Sequence, residues 1–143
     1  MTKPTTSALL LLATLVSACT SVPEENADDE VPVGGQVVAL GEFSDGAHPT
    51  SGQVEVIEDA DEGTFSLVMT DFLSDNGPDL FVYLATDTSA ADVIDLGALR
   101  ATSGTLNYEI PSGAYDAKYD HVLIWCDQFS VLFGAAELAP SSP

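Results

Sequence analysis

The stretch HVLIWCDQFSVLFG, residues 121–134, contains two short apolar runs separated by a polar break. Both runs hold apolar and aromatic residues, several of them β-branched, and each is shorter than a typical helix. A polar break of this length suits the turn of a hairpin. The stretch therefore predicts two strands, His121–Cys126 and Phe129–Phe133, joined by a tight turn.

The rest of the chain repeats this pattern, with alternating apolar and polar residues between clusters of Gly, Asp, Asn, Ser and Pro. No segment has a sustained helical stripe, and we expect at most one helical turn, at Ala114–Tyr119. Many short strands between regular turn signals are typical of an all-β antiparallel sandwich or barrel, here of about eight strands. The six further predicted strands are Gln36–Phe43, Gly52–Glu58, Thr64–Asp71, Leu80–Thr86, Val93–Leu96 and Thr105–Ile110.

The N-terminus has the features of a secretory signal peptide. Lys3 is followed by a short apolar run and by small residues before Cys19, and the run is too short to span a bilayer. The ending VSAC, residues 16–19, resembles a bacterial lipobox, which predicts a lipid on Cys19 after removal of residues 1–18. The alternative is an ordinary signal cleavage after Ala18 that leaves Cys19 free.

The lipobox interpretation divides the chain into four parts. After the signal peptide, residues 19–34 are rich in acids, Pro and Gly and predict an extended, lipidated tether. Residues 35–138 form the β domain, and residues 139–143 are a short tail. We therefore expect a domain attached through lipid to an extracytoplasmic membrane surface of the cell envelope. Thr20 stands in place of an Asp retention signal, which favours the outer membrane.

The charge of the chain excludes several classes of partner. Its net charge is −20, from 23 acidic residues against three Lys and Arg. Such a chain repels phosphate backbones and anionic lipid head groups, so we expect no nucleic-acid binding. Solubility explains most of this charge, although an acidic docking face for a basic partner is the alternative.

Common catalytic and metal motifs are absent from the sequence. The acidic run at residues 58–63 lacks the spacing of an EF-hand and is interpreted as a hairpin tip. His48, His121 and Cys126 give three His and Cys ligands at most, fewer than a structural zinc site needs. Neither a GxSxG elbow nor a phosphate loop occurs. The residues alone therefore give no support for a hydrolase or a transferase.

Several ordered motifs together resemble the electron-transfer DM-thirteen domain family. They extend from about Gly35 to Leu138 and occur in the order GEF, HPTSG, GPDLFVYL, NYEIP and IWCDQFSVLFGAAEL. Each motif alone is weak, but their combination is specific. The sequence departs from the family pattern at His121, where a small polar residue is more usual, so His121 is interpreted as a local variation.

The resemblance implies a small all-β extracytoplasmic module with a redox role centred on a single cysteine, here Cys126. This thiol would act either bare or as a ligand of haem or another metal group, and His48 matches the family's histidine. No Lys or Arg flanks Cys126 in sequence to stabilise a thiolate, which favours a bound group over a bare thiol. A redox protein is the partner that such a role implies.

Strand alternation assigns Cys126 to a face of its strand. In a regular strand over His121–Cys126, the thiol shares a face with Val122 and Ile124 and is predicted to point inward. Tyr83, Tyr108, Phe129 and Phe133 are expected in the core. A small buried cysteine without a redox role is the alternative, which would make the domain a binding or envelope-organising module.

Overall fold

The computed structural model describes residues 26–142, which contain ten strands and no helix. The predicted signal peptide and Cys19 lie outside these residues. The strands, labelled in chain order, are β1 Ala27–Asp28, β2 Gln36–Asp45, β3 Thr50–Asp59, β4 Thr64–Ser74, β5 Leu80–Ala85, β6 Val93–Ala98, β7 Ser103–Ile110, β8 His121–Cys126, β9 Val131–Glu137 and β10 Ala139–Pro140.

All ten strands belong to one mixed, curled sheet that forms a half-barrel. Their order is β1-β7-β4-β3-β2-β9-β8-β5-β6, and β10 pairs with β2. Only the β1–β7 pair is parallel among the described pairings. The prediction of an all-β sandwich or barrel is therefore confirmed.

Strand β2 joins the two halves of the sheet. Its residues up to Glu42 pair with β3, whereas Phe43–Asp45 pair with β9. The half made of β7, β4, β3 and β2 thus continues into the half made of β9, β8, β5 and β6. Because the sheet curls, both halves bury their inner faces against one core that includes Val54, Leu67, Phe72, Val82 and Ile124.

The eight predicted strands all exist; β8 has the predicted ends, and the other seven differ at one or both ends. The alternation of buried and exposed residues identified them, but it does not mark where a strand stops. The expectation that Phe129 lies in the core is wrong, because Phe129 lies in the turn after β8 and is 64% exposed. Tyr83, Tyr108 and Phe133 are buried as expected.

The predicted helical turn at Ala114–Tyr119 is not a helix. Two separate turns are present instead, closed by hydrogen bonds from the Ala114 N–H to the Pro111 carbonyl and from the Tyr119 N–H to the Asp116 carbonyl. The acidic run at residues 58–63 forms the β3–β4 hairpin tip, as predicted, where the Gly63 N–H donates to the Asp59 carbonyl. Among the described residues, no helix is long and apolar enough to cross a membrane.

The first described residues contact the domain. Ala27 is buried and pairs with Gly104 on β7, and the Asp29 N–H donates to the Thr105 carbonyl. Asp29 also accepts hydrogen bonds from Arg100 and from the Asn107 N–H. The docked part of the chain therefore reaches into the range that composition predicted as a tether.

Tyr108 bridges the ends of β7 and β6, where the curled sheet nearly meets itself. Its hydroxyl donates to the Ala98 carbonyl at 3.1 Å and accepts from the Arg100 N–H at 3.1 Å. The Arg100 guanidinium lies over the Tyr108 ring, 4.7 Å from its centroid, and forms an ion pair with Asp29. We call Asp29, Arg100 and Tyr108 the seam.

Candidate functional site around Cys126 and His48

Cys126 is the last residue of β8 and points into the core. Its neighbours in the sheet are Leu80 on β5 and Val131 on β9, and the side chain is 1% exposed. Val122 and Ile124 lie in the same buried cluster, whereas Leu123 belongs to a cluster on the other side of the sheet. The inward orientation predicted from strand alternation is therefore confirmed.

Two consecutive carbonyls fix the position of Cys126 and the residue after it. The Cys126 thiol donates to the Pro78 carbonyl at 3.2 Å, and the Asp127 N–H donates to the Asp79 carbonyl at 2.9 Å. Asp79 has a φ of 48°, a left-handed conformation that Asp tolerates better than most residues. These two contacts hold the end of β8, and we call Pro78, Asp79, Cys126 and Asp127 the Cys126 corner.

His48 lies in the connection between β2 and β3. Its ring stacks on Phe133 with centroids 3.9 Å apart, and its Nδ1 is 3.1 Å from Asp75 Oδ2. The His48 N–H donates to the Phe133 carbonyl at 3.2 Å. The imidazole is therefore oriented by one ring and one carboxylate.

The loop between β4 and β5, residues 75–79, connects the two candidate residues. Asp75 contacts His48, and Pro78 accepts the hydrogen bond of Cys126. A Cβ on Gly77 would lie 2.6 Å from the Phe133 ring, so only glycine allows this loop to approach the ring so closely. Cys126 and His48 do not hydrogen-bond to each other, but the same loop contacts both.

Sequence reasoning missed the partners of both residues. Asp75 and Pro78 belong to a turn that the Asp-Asn-Gly-Pro run predicts, but the run does not say what the turn contacts. Phe133 was predicted only as a core residue. Gly134 also marks a close approach, because a Cβ at this position would lie 2.3 Å from Cβ of Thr50. Gly77 and Gly134 are therefore the sequence features that indicate close packing around the two candidate residues.

The surroundings of Cys126 do not fit a haem or a metal ion in this conformation. No group of three or more His, Cys, Asp or Glu side chains within residues 26–142 could hold a metal ion. The described cavities are not lined by Cys126 or His48. The thiol packs among apolar side chains, and its one hydrogen bond goes to a backbone oxygen. These surroundings support no reaction step that uses a bound haem or metal ion.

His121 lies away from the thiol. It begins β8, five residues before Cys126, and its alternation in the strand directs it to the outer face. Its Nδ1 is 2.7 Å from Asp120 Oδ1. The departure from the family pattern at His121 therefore leaves the Cys126 corner unchanged.

Two groups of the seam, the Asp29 carboxyl and the Tyr108 phenol, have shifted pKa values. The pKa of Asp29 is lowered, first by the hydrogen bond from the Asn107 N–H and then by Arg100. Burial raises the pKa of Tyr108. Both shifts favour the forms that the seam uses near neutral pH, a carboxylate at Asp29 and a protonated phenol at Tyr108.

A separate cavity of about 430 Å³ lies beside the β3–β4 hairpin tip, at the other end of these strands from Cys126. Asp59, Glu62 and Glu109 give it an acidic lining, together with Asn107, whose Oδ1 is buried without a partner. The cavity contains no group of acids positioned for a metal ion among the described residues.

Comparison with known proteins identifies the family. Residues 42–138, more than half of the chain, match the family described as Electron transfer DM13. No curated protein and no solved structure matches the chain. The match spans β3 to β9 with the last four residues of β2, and therefore includes His48, the 75–79 loop and Cys126. The chain belongs to the DM13 family of electron-transfer domains.

Proposed function

We propose that this electron-transfer domain works at an extracytoplasmic membrane surface and that the bare thiol of Cys126 is its redox group. The observation that carries the proposal is the Cys126 corner. A free thiol, 1% exposed, donates to the Pro78 carbonyl within the region that matches the family. Composition favoured a bound group over a bare thiol, but the apolar packing around Cys126 favours the thiol.

The hydrogen bond to Pro78 couples the thiol to the 75–79 loop. A carbonyl oxygen only accepts, so this contact requires the hydrogen on sulfur. Oxidation that removes the hydrogen removes the contact. The same loop supports Phe133 through Gly77 and contacts His48 through Asp75, so a change at sulfur would alter the surroundings of His48.

The redox proposal is tested by comparing the wild-type chain with Cys126→Ala in a titration against soluble mediators. We expect the wild-type thiol to give one electron to an oxidising mediator and one proton to solvent, and to regain both on reduction. Cys126→Ala should do neither, while Cys19→Ala, the matched control, behaves as the wild type. Full redox behaviour in Cys126→Ala would overturn the proposal. A Soret band in protein from its native compartment, lost in Cys126→Ser, would instead support haem ligation.

The burial of the Cys126 thiol also supports a second function. At 1% exposure, Cys126 resembles the small buried cysteines that fill cores, and the domain would then be a binding or envelope-organising module. The two functions differ in thiol reactivity under native conditions. A thiol reagent that modifies Cys126 only on unfolding, together with the absence of any redox wave, would support the structural role.

The membrane attachment is a separate part of the proposal. Its support is the signal-like N-terminus and the VSAC sequence that ends at Cys19. We expect the wild-type protein in the membrane fraction and Cys19→Ala in the soluble fraction, since the acyl chains contribute about 0.8 kcal/mol per buried methylene. Unchanged membrane association of Cys19→Ala would contradict lipidation.

A further inference from the structure

The face of β5, β8 and β9 that points away from the core is unusually apolar. An antiparallel sheet with one solvated face normally places polar residues there. Here Tyr83 and Leu123 are buried on that face, and partly buried apolar side chains surround them. We call these residues the aromatic face, which comprises Phe81, Tyr83, Ala90, Val93, Leu123, Trp125, Leu132 and Ala135.

Trp125 lies on β8, the middle of the three strands that form this face. In the sheet it lies opposite Phe81 on β5 and Leu132 on β9. The rings of Phe81 and Tyr83 are stacked with centroids 6.0 Å apart. Trp125 directly precedes Cys126, whose side chain points to the opposite side of the same strand. The aromatic face is therefore separated from the thiol only by the thickness of β8.

Carboxylates border the aromatic face. Asp95 pairs with Tyr83 across β5 and β6, Glu137 pairs with His121 across β8 and β9, and Asp127 follows Cys126. All three carboxylate residues are exposed. Burial, then Asp127, then Asp95 raises the pKa of Tyr83, so two of these charges act on a buried residue of the face.

The cations of the described chain do not offset this border. Residues 26–142 contain Arg100 and Lys118 as their only Arg and Lys. Arg100 pairs with Asp29, and Lys118 pairs with Asp92 at 3.1 Å. A second copy of the chain would bring two negative rims together, and anionic lipid or nucleic acid would be repelled in the same way.

We propose that the aromatic face is the docking surface for a redox protein whose own surface has an apolar centre ringed by Lys and Arg. Apolar side chains at the centre and opposite charges at the rim are the usual arrangement of a specific interface. The redox nature of this partner rests on the proposed function. The location and the chemistry of the surface rest on the residues described above.

The test uses the ¹⁵N-labelled full-length chain and three hexapeptide probes, acetyl-(Lys-Trp)3-amide, acetyl-(Lys-Gly)3-amide and acetyl-(Glu-Trp)3-amide. We expect the Lys-Trp peptide to shift the resonances of backbone amides in β5, β8 and β9. The other two should bind at least about 10-fold more weakly, because the Lys-Gly peptide lacks aromatic side chains and the Glu-Trp peptide lacks positive charge. Shifts centred on the acidic cavity at the β3–β4 tip, or spread over all acidic segments, would overturn the proposal.

Charge variants make the test specific. Asp95→Asn with Asp127→Asn should weaken binding of the Lys-Trp peptide by about 3- to 10-fold. Asn keeps the oxygen that accepts from the Gly97 N–H, so the fold is retained. The matched pair Glu42→Gln with Glu109→Gln makes the same charge change elsewhere and should weaken binding by less than about 2-fold. Equal weakening by both pairs would contradict the proposal.

Two further measurements separate this proposal from its alternatives. Cys126→Ala should bind the peptide as the wild type does, so a failed redox proposal would leave this result intact. Sedimentation of the wild type should give a monomer. A dimer that protects the amides of β5 and β8 from the peptide would show that a second copy covers the face and would overturn the inference.

Discussion

Tyr108 and Cys126 belong to the same buried core, yet the structure holds them in different ways. Tyr108 is fixed by two hydrogen bonds to its hydroxyl and by the Arg100–Asp29 pair beside it. The Cys126 side chain has one hydrogen bond, to the Pro78 carbonyl, and apolar neighbours. The seam thus depends on polar contacts and protonation, whereas the Cys126 corner depends on packing and on the state of one sulfur atom.

Of the variants that test this difference, Tyr108→Phe should cause the largest loss of stability. The change leaves the Arg100 N–H and the Ala98 carbonyl without their partner, so the free energy of unfolding should fall by about 2 kcal/mol. Urea denaturation measures this loss. Tyr115→Phe is the control, since its ring packs against Phe65 at 4.6 Å and its loss of a hydroxyl should cost less than about 1 kcal/mol.

The same variant has a signature at alkaline pH. Because the pKa of Tyr108 is raised in the folded state, its contribution to stability is complete below the unfolded value of 10.0 and is lost as pH rises through the folded pKa. The wild type should therefore lose more stability above pH 10 than Tyr108→Phe does. Parallel alkaline losses in the two proteins would contradict this role of Tyr108.

Cys126→Ala should have a smaller effect. Removal of a buried sulfur leaves a small void, and we expect about 1 kcal/mol lower free energy of unfolding. Urea denaturation checks this value, with Cys126→Ser as a second variant that keeps a donor for Pro78. A loss above about 3 kcal/mol would show that the corner depends on the thiol for its packing and not only for its chemistry.

His48→Ala tests the outer part of the corner. Loss of the ring stacked on Phe133 should cost about 0.5–1 kcal/mol. His48→Phe keeps a ring but loses the contact with Asp75, so it should retain most of the stability. If both variants unfold at the same urea concentration, the Asp75 contact and not the stacking is what stabilises His48.

The smallest expected effect is local and concerns Asp29. Its lowered pKa means that its contribution is present above the unfolded value of 3.8 and is lost as pH falls through the folded pKa. The Asn107 amide proton, which donates to Asp29 at 2.9 Å, should change its chemical shift in this range. Asp29→Asn should lack this transition, and an unchanged transition would assign it to another acid.

Alternation of apolar and polar residues predicted the strands because one face of each strand packs against the core. The strands β1 and β10 were missed, since two residues carry no periodicity and their pairing is decided by the rest of the sheet. Phe129 was assigned to the core by its side chain alone, but the positive φ of Ser130, 51°, belongs to a turn that turns Phe129 outward.

The candidate site was predictable only in part. Strand alternation gave the inward direction of Cys126, and the family resemblance selected Cys126 and His48. The contact of Cys126 with Pro78 joins residues 48 positions apart, and the stack of His48 on Phe133 depends on the pairing of β2 with β9. Local sequence does not encode such pairings, so the partners emerged only from the fold.

The shared strand β2 also has a consequence for how the chain folds. Phe43 of β2 pairs with Ala136 of β9, and Leu40 pairs with Ala139 of β10. These pairings close very long loops, which gives the domain a high contact order and folding on a timescale of about milliseconds to seconds. The β2–β3–β4 meander is the segment able to nucleate early. The Cys126 corner forms only after β8 has been synthesised, because it joins the end of that strand to Pro78 and Asp79.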